Sequence, residues 1–282
     1  MKVSIKPLQT ARLDHPKSGH LQQGAIFNCV HVPRYESCCC CGIILTARCD
    51  LEHGKFVVVN FLPIVRFTDW AKRELCAILA KRARAEVLGS IQKQLSQKMV
   101  TKEILETFPL ADIVRRATTA REQIDLLSKC NDLEMFDRVI SLEGSYCGET
   151  SEFFTLTSKQ CQLVTRDLIK QNLSEFYFLN AVDVYDSSLE GYVVLMRRVQ
   201  SMDPAFAQKI TIGIEKGSIL ATEGVGHNLT FEHEPLCMIT GVLRSPDIEH
   251  IMQQFSNLFT RIGLDDQTEE TIKHHVSTLN LQ

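Results

Sequence analysis

The sequence lacks the features that mark membrane, secreted and disordered chains. No window approaches the roughly 18 uninterrupted apolar residues of a membrane-spanning helix, and residues 1–7 lack the apolar core of a secretory signal. Neither sign of charge dominates, since 31 Lys and Arg face 34 Asp and Glu among 282 residues. We therefore expect a globular, cytoplasmic chain without membrane contact. The net charge of -3 gives no global reason to expect a polyanionic partner.

The common catalytic motifs are missing as well. The chain contains no Gly-x4-Gly-Lys-Ser/Thr, no Gly-x-Gly-x-x-Gly, no His-Glu-x-x-His and no Gly-x-Ser-x-Gly. The sequence therefore gives no support for nucleotide hydrolysis or for the common hydrolase mechanisms. We also expect no cofactor.

Cysteine is abundant, with 11 residues, and four are consecutive at Cys38 to Cys41. This run contains one Cys-x-x-Cys, which is half of a four-ligand zinc site, but no second Cys-x-x-Cys exists in the chain. The run leads into the apolar residues 42–45, a pattern typical of a strand. We predict a strand from Cys39 to Ala47 in which the thiols pack as small apolar side chains.

The order of apolar patterns predicts an α+β fold in three parts. Residues 1–68 form a small SH3-like curled β-barrel or sheet, with strands over 24–32, 39–47 and 56–62. Residues 69–142 form a helical insertion that begins at Asp69, a suitable N-cap. Residues 143–282 complete the fold with strands near 176–179, 192–196, 210–214 and 238–243. They also contain a helix over 246–263 whose wide apolar stripe requires it to dock.

Basic residues are concentrated in one segment. The segment from Arg66 to Lys102 contains nine basic residues and only three acidic residues. Three of the nine can share a helix face, and two further arginines follow on the next helix. The candidate residues for binding a partner or nucleic acid are Arg73, Lys81, Arg84, Arg115 and Arg116. Such a face can neutralise phosphates, complement an acidic protein or simply be solvated.

Two low-specificity patterns leave an enzymatic reading open. Arg244 and His250 have the Arg-x5-His spacing seen in HEPN-type ribonucleases, whose Arg and His act on the scissile phosphate. His227, His233 and Cys237 lie within eleven positions and supply three potential ligands for a catalytic zinc with an open coordination position. The alternative function is therefore a nuclease or RNase effector that uses either set.

Residues 22–67 resemble the SH3-like barrel of the MazF/PemK toxin family. The similarity lies in a Gly-led strand at 24–27, a Pro-containing loop at 32–34, an apolar strand at 42–46 and the segment 58–64 that ends at Pro-Ile. The Arg-Pro that enters the apolar strand in that family is Cys41-Gly42 here, and the Thr after Pro-Ile is Val65. The resemblance therefore implies the fold without the RNA-cutting residues.

Two further segments, 46–50 and 244–263, look like accessory proteins of bacterial phage-defence or toxin-antitoxin loci, which accompany ATPases or nucleases. This resemblance implies a non-catalytic binding or adaptor component of a multi-protein assembly. Its partners would be other protein subunits, with nucleic acid possible through the basic helix at 66–102.

Overall fold

The computed structural model describes residues 13–142, 151–185, 190–218 and 228–260. It confirms an α+β fold in which a curled antiparallel sheet lies between a block of helices and a C-terminal docked helix. None of the described helices is long and apolar enough to cross a membrane.

The main sheet has eight strands, all paired antiparallel. The strands are β1 (Leu13–Asp14), β2 (Ala25–Phe27), β3 (Cys41–Ile44), β4 (Val59–Arg66), β5 (Phe176–Leu179), β6 (Tyr192–Leu195), β7 (Gln200–Met202) and β10 (Ile239–Leu243). Their order is β1-β10-β2-β3-β4-β6-β5, and β7 also pairs with β4. Two short strands, β8 (Ile214–Glu215) and β9 (Leu236–Cys237), form a separate pair.

Ten α-helices surround the sheet in the described part of the chain. They are α1 (Arg48–His53), α2 (Phe67–Trp70), α3 (Cys76–Ser96), α4 (Lys102–Thr107), α5 (Leu110–Ala117), α6 (Ala120–Ser141), α7 (Ser151–Leu156), α8 (Ser158–Ile169), α9 (Pro204–Ile210) and α10 (Asp247–Thr260). The helical block consists of α3 to α6 with α8, which packs on α3.

The two faces of the sheet bury two separate cores. In β4, Phe61 and Val65 point to the core shared with the helical block, while Leu62 and Ile64 point to the opposite core. This alternation follows from the two-residue period of a strand. The second core is closed by Ile248 of α10, so both faces of the sheet are covered.

The helix that leaves β4 contains a π-helical turn. It starts at Phe67, two residues before the expected N-cap Asp69, and Arg66 occupies the N-cap position. The π-helical turn Ala71–Leu75 then joins α2 to α3. A π-helical turn contains more residues than an α-helical turn, so it changes the direction in which the later side chains point. Residues on the two sides of this turn therefore do not share a helix face merely because their spacing is helical.

Several predicted elements have different bounds or a different type. The predicted strand over 39–47 begins only at Cys41, and Cys38 to Cys40 lie in the loop before it. The predicted strand over 210–214 is wrong except at Ile214, which lies in β8, because α9 occupies the chain up to Ile210 and a turn follows at 211–212. The side chain of Asp203 accepts hydrogen bonds from the first turn of α9, which outweighs the β-branched composition that follows.

The three-part division of the chain stays a prediction. Strands from residues 1–68 and from residues 143–282 alternate within one sheet, since β10 pairs with β2 and β6 pairs with β4. The helices over 69–142 are inserted between β4 and the later strands.

The free edge of β5 is covered by a side chain. The carboxamide of Gln171 accepts a hydrogen bond from Phe178 N at 2.9 Å and donates one to Phe178 O at 2.8 Å. Gln171 itself has a left-handed φ of 59°, which directs its side chain from the end of α8 back onto the strand.

A capping box at the start of α6 predicts a pH dependence of stability. The backbone N–H of Thr119 and the ammonium of Lys98 lower the pKa of Glu122 from 4.5 to about 2. Because this pKa is depressed on folding, the stabilisation is present above pH 4.5 and lost as the pH falls towards 2. We expect Glu122→Gln to lower the urea midpoint at pH 7 and to leave it nearly unchanged at pH 2. Equal losses at both pH values would contradict this.

Candidate functional site

Much of the basic charge predicted as a binding surface is paired within the fold. Arg82 on α3 pairs with Asp167 of α8 at 2.9 Å, and Lys98 pairs with Glu122 of α6 at 2.9 Å. These contacts hold the helices together and reduce the charge available to a polyanion.

Arg73 is used to fix the loop before β3. Its guanidinium carbon lies 5.2 Å from the ring centroid of Tyr35, and that of Arg198 lies 5.7 Å from the same centroid. Arg73 Nη2 also lies 3.4 Å from Ser37 Oγ. Burial raises the pKa of Tyr35, and the neighbouring carboxylate of Glu74 raises it further, so the hydroxyl stays protonated.

The other predicted basic residues contact different elements. Arg84 pairs with Asp137 of α6 at 2.5 Å, and Arg115 pairs with Asp112 of its own helix at 2.9 Å. The remaining two, Lys81 on α3 and Arg116 on α5, are exposed. The structure therefore does not gather the five residues into one basic site.

A groove in the helical block includes one of them, Arg84. The groove lies between α3, the α4–α5 connection and α6, and its volume is about 420 Å³. Its apolar wall consists of Leu88, Leu105, Leu110 and Leu133. A cavity of this size with mostly apolar walls and a few polar groups is typical of a binding site.

Charged groups border one side of this groove. The Arg84–Asp137 ion pair lies there together with the exposed carboxylate of Glu134, for which the described residues provide no ion-pair partner. The groove border therefore carries a net negative charge beside an apolar wall.

Apolar side chains near the groove are exposed. Phe108, between α4 and α5 and next to the groove residue Pro109, is 54% exposed. Ile104 is 39% exposed one helical turn earlier on α4, and Met99 is 91% exposed in the preceding turn. A group of exposed large apolar residues beside a groove favours a contact surface for another protein.

Arg244 and His250 have different partners. Arg244 Nε donates to Asp14 Oδ1 of β1 at 2.6 Å, whereas His250 Nδ1 lies 3.2 Å from the hydroxyl of Tyr177 in β5. Burial raises the pKa of Tyr177 to about 12, and the charge of Asp247 contributes. The structure gives this pair no shared reaction site, although His250 lines a polar cleft of about 350 Å³.

The metal candidates are also separately engaged. His233 Nε2 lies 2.9 Å from the backbone oxygen of Glu36, and the thiol of buried Cys237 donates to the backbone oxygen of Asn28 at 3.4 Å. His227 lies outside the described residues. Within the described ranges, no three His, Cys, Asp or Glu side chains are placed to hold a metal ion.

Sequence reasoning identified Arg84 but missed the apolar wall of the groove. Leu133 belongs to the main core, and Leu88 and Leu110 are partly buried against it. The sequence feature that could have indicated the groove is the break at Phe108-Pro109, which separates two short helices. When the chain is compared with known proteins, no family model, no curated protein and no solved structure matches it.

Proposed function

We propose that this chain is a non-catalytic binding or adaptor component of a multi-protein assembly, of the bacterial phage-defence or toxin-antitoxin kind, in the cytoplasm. The observation that carries the proposal is the 420 Å³ groove with the exposed ring of Phe108 beside it. The partner is another protein subunit that inserts an apolar side chain into the groove.

The charge at the groove specifies the partner further. Glu134 is exposed and without an ion-pair partner in the described part of the chain, and Asp137 is already shared with Arg84. A lysine or arginine beside the inserted apolar side chain would complement this border and favour one docking orientation.

The positions that replace the catalytic residues of the MazF/PemK family support a non-catalytic role. Val65 is fully buried in β4, and Cys41, at the position of that family's arginine, is a partly buried thiol whose pKa is raised by burial. Neither side chain can offer RNA the charge of an arginine or the hydroxyl of a threonine. The resemblance of residues 22–67 to that family remains a prediction.

Direct nucleic-acid binding by the segment 66–102 is less well supported. Arg82, Arg84 and Lys98 are each paired with a carboxylate of another helix. Phosphate binding would have to break such pairs, which lowers the gain from each contact.

Substitutions at the groove test the proposal. We expect Phe108→Ala and Glu134→Lys each to weaken retention of the partner about tenfold, because they remove the exposed ring or reverse the charge at the border. The measurement is quantitative mass spectrometry of subunits that copurify with the natively expressed chain after mild cross-linking. Ile212→Ala, which removes a side chain that is 73% exposed in the turn after α9 and outside the helical block, is the matched control and should retain the partner.

Two results would overturn the proposal. One is the absence of any stoichiometric subunit, or equal recovery with all three variants. The other is cleavage of RNA or DNA by the purified chain alone that is lost in Arg244→Ala or His250→Ala, which would establish the nuclease alternative.

A further inference from the structure

Cys29 lies two residues after the end of β2, and Cys237 lies two residues before the start of β10. The register Phe27 opposite Ile239 continues through Asn28, whose N–H donates to Met238 O at 3.3 Å. The next opposed pair in this register is Cys29 and Cys237. Directly opposed residues of antiparallel strands have Cα atoms about 4.5–5.5 Å apart, which is within the range that a disulfide requires.

The thiol contacts agree with this register. Cys29 Sγ lies 3.5 Å from the backbone oxygen of Leu236, the residue before Cys237. Reciprocally, Cys237 Sγ lies 3.4 Å from the backbone oxygen of Asn28, the residue before Cys29. Each sulfur therefore projects towards the backbone that carries the other.

The side chain of Asn28 holds the two segments together. Its Nδ2 donates to Leu236 O at 2.9 Å, and its Oδ1 accepts from Met238 N at 2.7 Å. These contacts flank Cys237 on both sides and fix its position relative to the segment that carries Cys29. Cys29 has a left-handed φ of 63°, an uncommon conformation for a residue with a side chain.

The two thiols affect each other electrostatically. The neighbouring Cys29 thiol raises the pKa of Cys237, and burial raises it further. Cys237 is fully buried and Cys29 is 6% exposed. Cys29 also lines a small space of about 10 Å³ beside His233 and Glu234, which is about the room that one water-sized molecule needs.

We propose that Cys29 and Cys237 are a dithiol that hydrogen peroxide converts into a disulfide between β9 and the segment that follows β2. In the first step, the sulfur of Cys29 attacks one peroxide oxygen; the O–O bond breaks, the thiol proton goes to the leaving oxygen, and a sulfenic acid and water form. In the second step, the sulfur of Cys237 attacks the Cys29 sulfur; the S–O bond breaks, and the Cys237 proton leaves with the hydroxyl group as a second water. The two sulfur atoms are oxidised, and both electrons reduce the peroxide.

Hydrogen peroxide added to the folded, full-length chain tests this directly. Trypsin places Cys29 in the peptide 18–34 and Cys237 in the peptide 217–244, each without a second cysteine, whereas Cys38 to Cys41 fall in 35–48. We expect the 18–34 and 217–244 peptides to appear linked, with the loss of two hydrogen atoms and of two of the 11 thiols. Dithiothreitol should separate them again.

Variants identify the order of the two steps. Cys237→Ala should abolish the linked peptide and leave a sulfenic acid on Cys29 that dimedone labels in the 18–34 peptide. Cys49→Ser, which removes an exposed thiol on α1, is the control and should leave the link unchanged.

Oxidation of the folded wild-type chain can also contradict the proposal. A link from 18–34 to the 35–48 peptide, or the loss of thiols without any link to 217–244, would overturn the proposal. Because this result is obtained on the wild-type chain, it does not depend on the stability of a variant.

Discussion

Replacing Trp70 with alanine is expected to lower the free energy of unfolding by about 3–5 kcal/mol. Trp70 is fully buried in α2, the helix that leaves β4. Its ring lies 5.3 Å from that of Phe176 in β5 and 5.7 Å from that of Phe67 in α2, measured between centroids. The side chain therefore joins α2 to β5, and its removal leaves a cavity that neither side can fill alone.

The measurement is urea unfolding followed by circular dichroism, since the variant has no tryptophan left to report by fluorescence. Trp70→Phe should be measured beside Trp70→Ala. Among the described residues the indole N–H has no hydrogen-bond partner, so phenylalanine removes an unsatisfied donor and keeps most of the ring contacts. A loss below about 1 kcal/mol for Trp70→Ala would show that the indole does not connect α2 to β5.

Gly42→Ala is expected to destabilise the chain by about 1–3 kcal/mol, although only one methyl group is added. A Cβ atom at Gly42 would lie 2.6 Å from Phe27 Cζ and 2.9 Å from Phe61 Cδ2. Those two rings already pack edge to face with centroids 5.1 Å apart in the core. The strand β3 can therefore pass between β2 and β4 at this point only because position 42 has no side chain.

Gly89→Ala is the matched control for that substitution. Gly89 lies in the middle of α3, and no atom comes within 4 Å of an added Cβ. Alanine should stabilise the helix there by about 0.5–1 kcal/mol. The two variants add the same methyl group, so opposite shifts of the urea midpoint would separate steric conflict from helix propensity, and destabilisation by both would contradict the steric explanation.

The fold class could be predicted because its main elements have strong periodic patterns. Residues 59–66 and 192–195 are rich in β-branched and aromatic residues and form strands, and residues 247–260 carry a continuous apolar stripe and dock on the sheet. The prediction failed over most of 210–214. The N-cap Asp203 and the proline after it start α9, which extends to Ile210 and is followed by a turn. A single capping residue can therefore determine whether a segment is a helix, even where the amino-acid composition favours a strand.

The candidate site could be predicted only in part. Charge counting drew attention to Arg84, but it could not show that Asp137, 53 positions later, neutralises it. The apolar wall of the groove is built by packing four helices, α3 to α6, and Leu105 and Leu133 come to line the same groove only in the folded chain. The opposition of Cys29 and Cys237 likewise depends on strand register, which no pattern within either segment encodes.

The contact between Gln171 and Phe178 limits how this protein can associate with itself. A strand at the end of a sheet presents free N–H and C=O groups, and a second copy can pair with them to extend the sheet into larger aggregates. Here one carboxamide satisfies both groups of Phe178 at the outer edge of β5. An incoming strand would have to displace this side chain before it could pair, so the chain protects its own sheet against growth at that edge.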